Sequence, residues 1–381
     1  MIYFDNAATT FPKPQIVYDS VDYAMKELSF NAGRGSYKYA KDTFNMIEET
    51  RKKIASLINV TGDKVIFTSS ATEAINSLIV GLELTENDCV YISPFEHNAI
   101  VRTLNYYKIK YEIIPFNKNN WEVDYNKLND LFLMKKPKAI IISHVSNTTG
   151  FLLPYQNIFE LSKKFGAINI LDAAQSFGIK EININNIDAV VFAGHKSLYG
   201  LFGIGGYINI SKLKLKNYII GGTGTDSLNV NMPTELPYSQ EAGSPNSIAI
   251  YSIYNSIDFI KYNRIDIKEE KLVQYFLEKV KKLNKVIVYL PENYISEGIV
   301  SFNVLGYSSN EIGIILSDEY DICVRTGYHC APLIHDFIDS KKYYGTVRIS
   351  FGAFNTNEEI DCLIKALSEL NCRDYLWGSR I

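Results

Sequence analysis

Short apolar runs alternate with helical patterns through the first half of the chain. Residues 43–59 place apolar side chains at helical spacing, so this segment predicts an amphipathic helix. Several of the runs that follow are continuously apolar, as in strands that helices cover on both sheet faces. The strand-like runs are 64–68, 89–93, 111–116, 138–143, 167–171, 189–193 and 206–210. This alternation predicts an α/β domain with a mostly parallel, seven-stranded sheet.

The pattern changes after Gly221, where a stretch containing glycine and proline precedes a predicted long helix over residues 246–262. Beyond that helix the chain is more charged, and strand-like runs alternate with shorter helical patterns. We therefore predict a large α/β domain over residues 15–250. Residues 1–14 and 251–381 are predicted to form a smaller α+β domain.

Charge and composition narrow the functional classes. The chain has 39 Lys+Arg and 42 Asp+Glu, a formal net charge of −3, whereas electrostatic binding to nucleic acid needs a basic excess. Hydrophobic residues make up 46% and charged residues 21%, which is typical of a globular protein. No apolar run is long enough for a membrane span, and Asp5 stands where a signal peptide would be apolar. We expect a cytoplasmic protein that binds neither nucleic acid nor membrane.

The chain has five cysteines and no C-x-x-C pair, which argues against a disulfide framework. Cys89 and Cys323 within strand-like runs, and Cys362 within a helical pattern, are predicted to be packing residues. No role is assigned to Cys372. A metal site built from residues 323–335 lacks compact ligand spacing, so no metal is predicted.

Cys330 differs from the other cysteines because it lies between Gly327 and Pro332, on a predicted turn. Arg325 is close in sequence, and a nearby cation favours the thiolate form of a cysteine. Arg348 lies within a strand-like run. An arginine there is either exposed at a sheet edge or placed to hold a carboxylate with two hydrogen bonds.

Lys196 directly follows a buried strand, in the segment AVVFAGHKSLYGLFGIGG. Burial disfavours the ammonium form of lysine, and a neutral amine can form an imine with an aldehyde. The alternative is a solvated loop lysine, which is the commoner state. The glycine spacing matches neither a P-loop nor a dinucleotide-binding turn.

Polar residues follow other strands at the same predicted sheet edge. Asp172 ends a strand and Gln175 lies three residues on; an acid there can keep the ring nitrogen of pyridoxal phosphate (PLP) protonated, or can cap the next helix. The hydroxyl-rich turn before Thr72 opens a helix, so it fits either a phosphate site or an ordinary cap. His97 stands at the start of another predicted helix, where it can be a cap, a surface residue or a site residue. Asn147 is either a turn residue or a donor to a carboxylate or phenolate oxygen.

Taken in order, these segments resemble one family. They are FDNAATT, TSSATEA, EHNAIV, HVSNTTG, DAAQS, GHKSLYGLFGIG, EAGSPN, RTGYHCAP and VRISFGAFNTNEEID. Their order resembles the cysteine desulfurase and selenocysteine lyase-like family of class-V aminotransferases, which are PLP enzymes of fold type I. The resemblance extends from residue 3 to about residue 370, and RTGYHCAP is similar to the branch with a short cysteine loop.

The resemblance implies roles around the cofactor ring. Lys196 would hold PLP through an imine and later move protons at Cα. Asp172 would pair with the pyridine nitrogen, Gln175 would contact the ring hydroxyl, and His97 would stack on the ring face. Asn147 would contact both cofactor and substrate.

Further roles follow from the same resemblance. The phosphate would be bound by the backbone of Ala71, by Thr72 and by His195. Ser244 would reach the phosphate of a second subunit, which implies a homodimer with shared sites. Arg348 would hold the substrate carboxylate together with Asn147. Cys330 would be the nucleophile, with Arg325 at the substrate beside it.

The implied reaction converts L-cysteine to L-alanine and leaves sulfur on Cys330 as a persulfide, to be passed to an acceptor protein that the sequence does not identify. Alternatives are a selenocysteine lyase, and an aminotransferase or C–S lyase of the same fold; a non-catalytic scaffold is a further one. Three positions depart from the family pattern. Ala71 and Ala193 stand where hydroxyl residues are frequent, and Tyr37 stands where histidine is common.

Overall fold

The computed structural model describes residues 1–32, 35–224 and 228–370. The strands are β1 (Ile2–Tyr3), β2 (Val65–Thr68), β3 (Cys89–Ile92), β4 (Lys110–Ile113), β5 (Pro137–Ser143), β6 (Ile168–Asp172), β7 (Ala189–Ala193), β8 (Gly205–Asn209), β9 (Val286–Val288), β10 (Ile299–Val304), β11 (Ile322–Cys323), β12 (Arg325–Gly327) and β13 (Thr346–Ser350). Cys372 and the rest of the C-terminal tail lie outside the described residues.

The α-helices are distributed through both parts of the chain. They are α1 (Gln15–Glu27), α2 (Lys38–Ser56), α3 (Ala71–Gly81), α4 (Asn98–Tyr106), α5 (Tyr125–Met134), α6 (Tyr155–Lys163), α7 (Ser247–Asn263), α8 (Ile265–Val280), α9 (Ser309–Tyr320), α10 (Ile334–Phe337) and α11 (Asn357–Glu369). Several begin at the residue types that satisfy free backbone N–H groups. Ser308 and Thr356 form capping boxes with Glu311 and Glu359 at α9 and α11.

The large sheet has seven strands in the order β2-β8-β7-β6-β5-β3-β4. Strand β8 runs antiparallel to both neighbours, and the other pairs are parallel. Alternate residues of β5 face different core clusters: Ile140 and Ile142 pack on one side of the sheet, and Ala139 and Ile141 on the other. Helices therefore cover both faces, which explains the continuously apolar runs.

The smaller part contains a four-stranded antiparallel sheet in the order β12-β13-β10-β9. Helices α8, α9 and α11 pack on it through a separate core that includes Phe276, Phe302 and Leu363. Strand β1 pairs with β11, and Phe4 lies in this core, so the N-terminal residues associate with the C-terminal part.

The predicted fold is confirmed in its class, its seven-stranded sheet and the α+β character of the C-terminal part. The predicted domain boundary at residue 250 falls inside α7. The apolar face of α7, with Ile253 and Ile257, packs in the same core as Ile47 and Ile54 of α2. Helix α7 thus packs with the large part along its length.

Candidate active site

The carboxyl ends of β5, β6 and β7 meet at one small cavity of about 80 Å³. This is the edge at which parallel α/β sheets bind ligands. Eight of the predicted site residues line it: Ala71, Thr72, His97, Asn147, Asp172, Gln175, His195 and Lys196. Ala193 lines it as well, at the end of β7.

Lys196 and Asp172 form the electrostatic centre of the cavity. Burial lowers the pKa of Lys196 to about 8, and the attraction of Asp172 limits that decrease. Burial raises the pKa of Asp172, while its hydrogen bond from the Ala174 N–H, at 3.0 Å, opposes the rise. A lysine with this pKa is partly in its neutral amine form near neutral pH, and the buried acid can hold a proton on a ring nitrogen.

The features suited to binding a phosphate lie at the start of α3. Helix α3 begins at Ala71 after its N-cap Ser70, whose hydroxyl accepts a hydrogen bond from the Glu73 N–H at 3.2 Å. The free N–H groups of the first turn face an anion favourably. His195 lies opposite, stacked on Phe202 with ring centroids 4.5 Å apart. Its Nδ1 is buried and has no hydrogen-bond partner among the described residues.

His97 combines two of the roles considered for it. As N-cap of α4 it accepts a hydrogen bond from the Ala99 N–H through Nδ1 at 3.0 Å, and its ring also lines the cavity. Burial lowers the pKa of His97 to about 3, and Lys196 adds to this decrease. The ring is therefore neutral at physiological pH and can stack on an aromatic ligand without adding charge.

Arg348 is buried, 2% exposed, so the edge-exposed alternative is wrong. Its Nη2 donates to Asp5 at 2.7 Å, and its Nη1 donates to the Asn147 carbonyl at 2.8 Å. Its Nε and the Asn147 Oδ1 are buried without a hydrogen-bond partner in the described part of the chain. Asn147 lines the cavity and Arg348 is hydrogen-bonded to the Asn147 backbone carbonyl, so this donor and acceptor lie close together.

Cys330 lies on a tight turn, as the sequence predicts. The Ala331 N–H donates to the Tyr328 carbonyl at 2.9 Å, and both His329 and Cys330 adopt left-handed backbone angles, φ 46° and 54°. The thiol is partly buried, and the Arg325 guanidinium lies 3.7 Å from its Sγ. The exposed Cys362 corrects the prediction that it is a packing residue, because its side of α11 faces solvent.

Two hydrogen bonds attach the Cys330 turn to the cavity. The Asn98 N–H at the start of α4 donates to the Cys330 carbonyl at 2.6 Å. The Asn147 Nδ2 donates to the His329 carbonyl at 2.7 Å. The C-terminal part thus presents Cys330 beside His97 and Asn147, which the large sheet positions.

Ser244 is not among the residues of this cavity. It is exposed, and it lies on a separate groove with Thr68, Ser69 and Gly203. Earlier in the same glycine- and proline-containing stretch of the chain, Leu228 and Val230 are each 98% exposed. The structure of one chain therefore does not bring Ser244 to its own site.

The sequence reasoning missed the contribution of the N-terminal segment. Asp5 pairs with Arg348, the Ala7 carbonyl accepts a hydrogen bond from Gln175 at 3.0 Å, and the Lys13 Nζ donates to the His195 carbonyl at 3.0 Å. Burial lowers the pKa of Lys13 to about 7. The signal was present as the motif FDNAATTFPKP, but its contacts span more than 160 residues.

Comparison with known proteins identifies the family. The class-V aminotransferase model matches residues 2–363. The chain therefore belongs to the class-V aminotransferase family, and the predicted family is confirmed. Among its relatives is a probable cysteine desulfurase of Pyrococcus abyssi, 32% identical, with 97% of this chain and 94% of the relative aligned.

Other similar proteins are also named cysteine desulfurases. A cysteine desulfurase of Wigglesworthia glossinidia brevipalpis is 32% identical over 96% of this chain and 92% of its own length. An apo structure of the cysteine desulfurase from Thermococcus onnurineus NA1 superimposes with a TM-score of 0.87 at 29% identity, over 97% of this chain and 94% of that one. In the described part of the chain, no helix has the length and hydropathy needed to cross a membrane.

Proposed function

We propose that the protein is a PLP-dependent cysteine desulfurase, which converts L-cysteine to L-alanine and takes up the sulfur on Cys330. The observation that carries this proposal is the attachment of the Cys330 turn to the Lys196 cavity, through the Asn98 N–H and the Asn147 side chain. A lysine with a lowered pKa, a buried acid and a cysteine beside them are the groups this reaction needs. The names of the relatives support the same activity.

The residues of the cavity fit PLP. Lys196 provides the amine, Asp172 the acid for the ring nitrogen, and His97 a neutral face for the ring. The buried His195 Nδ1, which has no partner in the part of the chain that the structure describes, and the start of α3 provide donors for a phosphate. When bound, PLP withdraws electrons from the substrate Cα, and the protein residues supply orientation and proton transfer.

The protein groups divide the remaining work. The Arg348 Nε, which has no hydrogen-bond partner in the described residues, donates to the substrate carboxylate. The Asn147 Oδ1, likewise without a partner there, accepts from the substrate amino group. Lys196, as a neutral amine, removes and returns a proton at Cα. Cys330 attacks the substrate sulfur; the C–S bond breaks and leaves its electron pair on carbon, which takes a proton and becomes alanine. Cys330 keeps the sulfur as a persulfide, and the Arg325 guanidinium lies 3.7 Å from the Cys330 Sγ to which that sulfur is attached.

A second subunit completes the site in this proposal. Ser244 lies outside the cavity of its own chain, within the exposed run of residues 243–246. In a homodimer this segment would lose its exposure and place Ser244 at the partner's phosphate. Sedimentation at micromolar concentration is expected to give twice the mass of one chain, and a monomer that retains bound PLP would contradict this arrangement.

Location and sulfur acceptor belong to the same proposal. A cysteine that must remain a free thiol between turnovers fits the reducing cytoplasm. The persulfide on Cys330 requires a thiol-bearing acceptor, which returns the enzyme to its starting state.

The test uses the purified holoprotein with L-cysteine. We expect alanine and an enzyme-bound persulfide in equal amounts in the first turnover. Cys330→Ser is expected to keep the yellow colour of bound PLP but to form neither product, whereas the matched variant at the exposed Cys362, Cys362→Ser, retains activity. Pyruvate in place of alanine would indicate a C–S lyase. Preference for selenocysteine over cysteine would indicate a selenocysteine lyase.

A further inference from the structure

Glu96 is a buried carboxyl group to which none of the roles above is assigned. It lies in the loop after β3, next to His97, and its exposed fraction is 0%. It accepts hydrogen bonds from the Ser143 N–H at 3.0 Å, from the Ser143 hydroxyl at 2.8 Å and from the Ser93 hydroxyl. A carboxyl group buried this completely is costly to retain unless its hydrogen bonds compensate. Its three donors supply that compensation.

The position of Ser143 makes this cluster relevant to the site. Ser143 is the last residue of β5, it lines the cavity, and in the β5–β6 register it is paired with Asp172. Glu96 therefore connects the loop that carries His97 to the strand end beside Asp172. The carboxyl group also interacts with the site: burial, with a smaller contribution from the charge of Asp172, raises the pKa of Glu96 to about 7.

We propose that Glu96 is a positioning residue of the cofactor site. By holding Ser143 it fixes the His97 ring relative to Asp172, and it places a second carboxyl group near the Asp172 carboxylate. This inference deepens the proposed function and rests on it. A cofactor ring that stacks on one residue and hydrogen-bonds through its nitrogen to another needs these two residues at a fixed spacing. Glu96 is the carboxyl group in the described residues that is hydrogen-bonded to both the β3–α4 loop and the end of β5.

The other carboxyl groups near the cavity have different partners. Asp172 accepts from the Ala174 N–H, and Asp5 pairs with Arg348. The charged group that acts on Glu96 is Asp172, and Asp172 in turn interacts with Lys196. A purely structural Glu96 would change the stability of the protein with and without PLP equally. A positioning role changes the affinity for PLP and the spectrum of the bound cofactor.

The experiment compares the wild type with Glu96→Gln, which keeps the side-chain shape and removes the negative charge. Apoprotein is titrated with PLP, and the visible absorption of the holoprotein is followed as a function of pH. We expect about tenfold weaker PLP binding, because charged hydrogen bonds are lost. The pH midpoint of the visible band is expected to move to lower pH, because one negative charge near a protonated site is removed.

Two further variants keep the test interpretable. Ser143→Ala removes one donor to Glu96 and leaves its N–H in place, so smaller changes in the same direction are expected even if Glu96→Gln does not fold. Glu122→Gln, on the surface, is the control and should leave both readouts at wild-type values. Unchanged affinity and unchanged midpoint in both site variants would overturn the inference. Absence of any visible band in the wild type would instead contradict the proposed function.

Discussion

At the level of single residues, burial decides which ionisable groups can react. Lys196 and His97 have ordinary side chains, yet burial lowers the pKa of Lys196 to about 8 and that of His97 to about 3. The sequence predicted the first effect from the strand that precedes Lys196. It left several roles open for His97, because one histidine at a helix start fits a cap and a site equally well.

The lowered pKa of Lys196 predicts how PLP uptake depends on pH. Only the neutral amine attacks an aldehyde, so the rate should rise about tenfold per pH unit below pH 8 and level off above it. An unperturbed lysine would give a rise that continues to about pH 10.4. Stopped-flow absorbance of apoprotein mixed with PLP measures this profile.

The other buried lysine with a lowered pKa provides the control for that experiment. Lys13→Gln should retain the visible band of bound PLP, whereas Lys196→Arg should lose it. A visible band that persists in Lys196→Arg would show that Lys196 is not the reacting amine. A rate that still rises above pH 9 would show that the pKa of the reacting lysine is not lowered.

Arg325 and Arg348 are paired directly across β12 and β13, but they contact different groups. Arg348 pairs with Asp5 and the Asn147 carbonyl, whereas Arg325 approaches the Cys330 Sγ. Arg348→Lys keeps the charge and loses the planar fork, so we expect KM for cysteine to rise about tenfold with a smaller change in kcat. Arg325→Lys should mainly lower kcat. Steady-state kinetics of both variants would contradict these assignments if KM in Arg348→Lys stayed at the wild-type value.

At the level of elements, the Cys330 turn depends on a strand of the small sheet. The His329 Nε2 lies 2.8 Å from the Thr346 hydroxyl and 2.9 Å from its carbonyl, and that hydroxyl donates to Ser301 at 3.0 Å. Left-handed backbone angles are unfavourable for residues other than glycine, so the turn at His329 and Cys330 needs hydrogen bonds of this kind to hold it. The sequence predicted a turn here, but neither its handedness nor its attachment to β13.

Replacing Thr346 by Val tests this attachment, because valine keeps the shape in the strand and removes the hydroxyl group. We expect the single-turnover rate of alanine formation to fall about threefold to tenfold, since loss of one buried hydrogen bond loosens the turn. The visible spectrum of bound PLP should not change, because Thr346 does not line the cavity. Thr326→Val, on the adjacent strand β12, is the matched control. An unaltered rate in Thr346→Val would mean that the turn holds its shape without the Thr346 hydroxyl.

At the level of the whole molecule, the sequence predicted the sheet and the convergence of its strand ends, because both follow from periodicity and from the rule for parallel sheets. It did not predict the contacts of Asp5, Lys13 and Glu96 with the site. These depend on how segments far apart in sequence meet, and a single acidic or basic residue in a loop carries no periodic signal. The contact between the two parts of the chain also joins segments far apart in sequence, so the sequence did not predict it either.

Glu269 illustrates that contact and gives a prediction for stability. It lies on α8 against Gly298, where a Cβ would meet its Oε2 at 2.7 Å, and Lys180 of the large part pairs with Glu297 beside it. Burial raises the pKa of Glu269 to about 8, with Lys180 opposing and Glu297 adding to the rise. Between about pH 4.5 and 8 the folded protein therefore retains a proton that the unfolded chain has released. The stability that this proton provides is complete below pH 4.5 and is lost as the pH rises, by at most about 1.4 kcal/mol per pH unit.

Glu269→Gln removes this titration, so its free energy of unfolding relative to the wild type should increase from pH 5 to pH 9. Urea unfolding at the two pH values measures the difference, and Glu270→Gln, at the exposed neighbouring position, is the control that should show no such trend. The Lys180–Glu297 ion pair remains in the variant, so the trend reports the Glu269 proton rather than the loss of that pair. A difference that stays constant or decreases towards pH 9 would show that Glu269 is already ionised at the contact between the two parts.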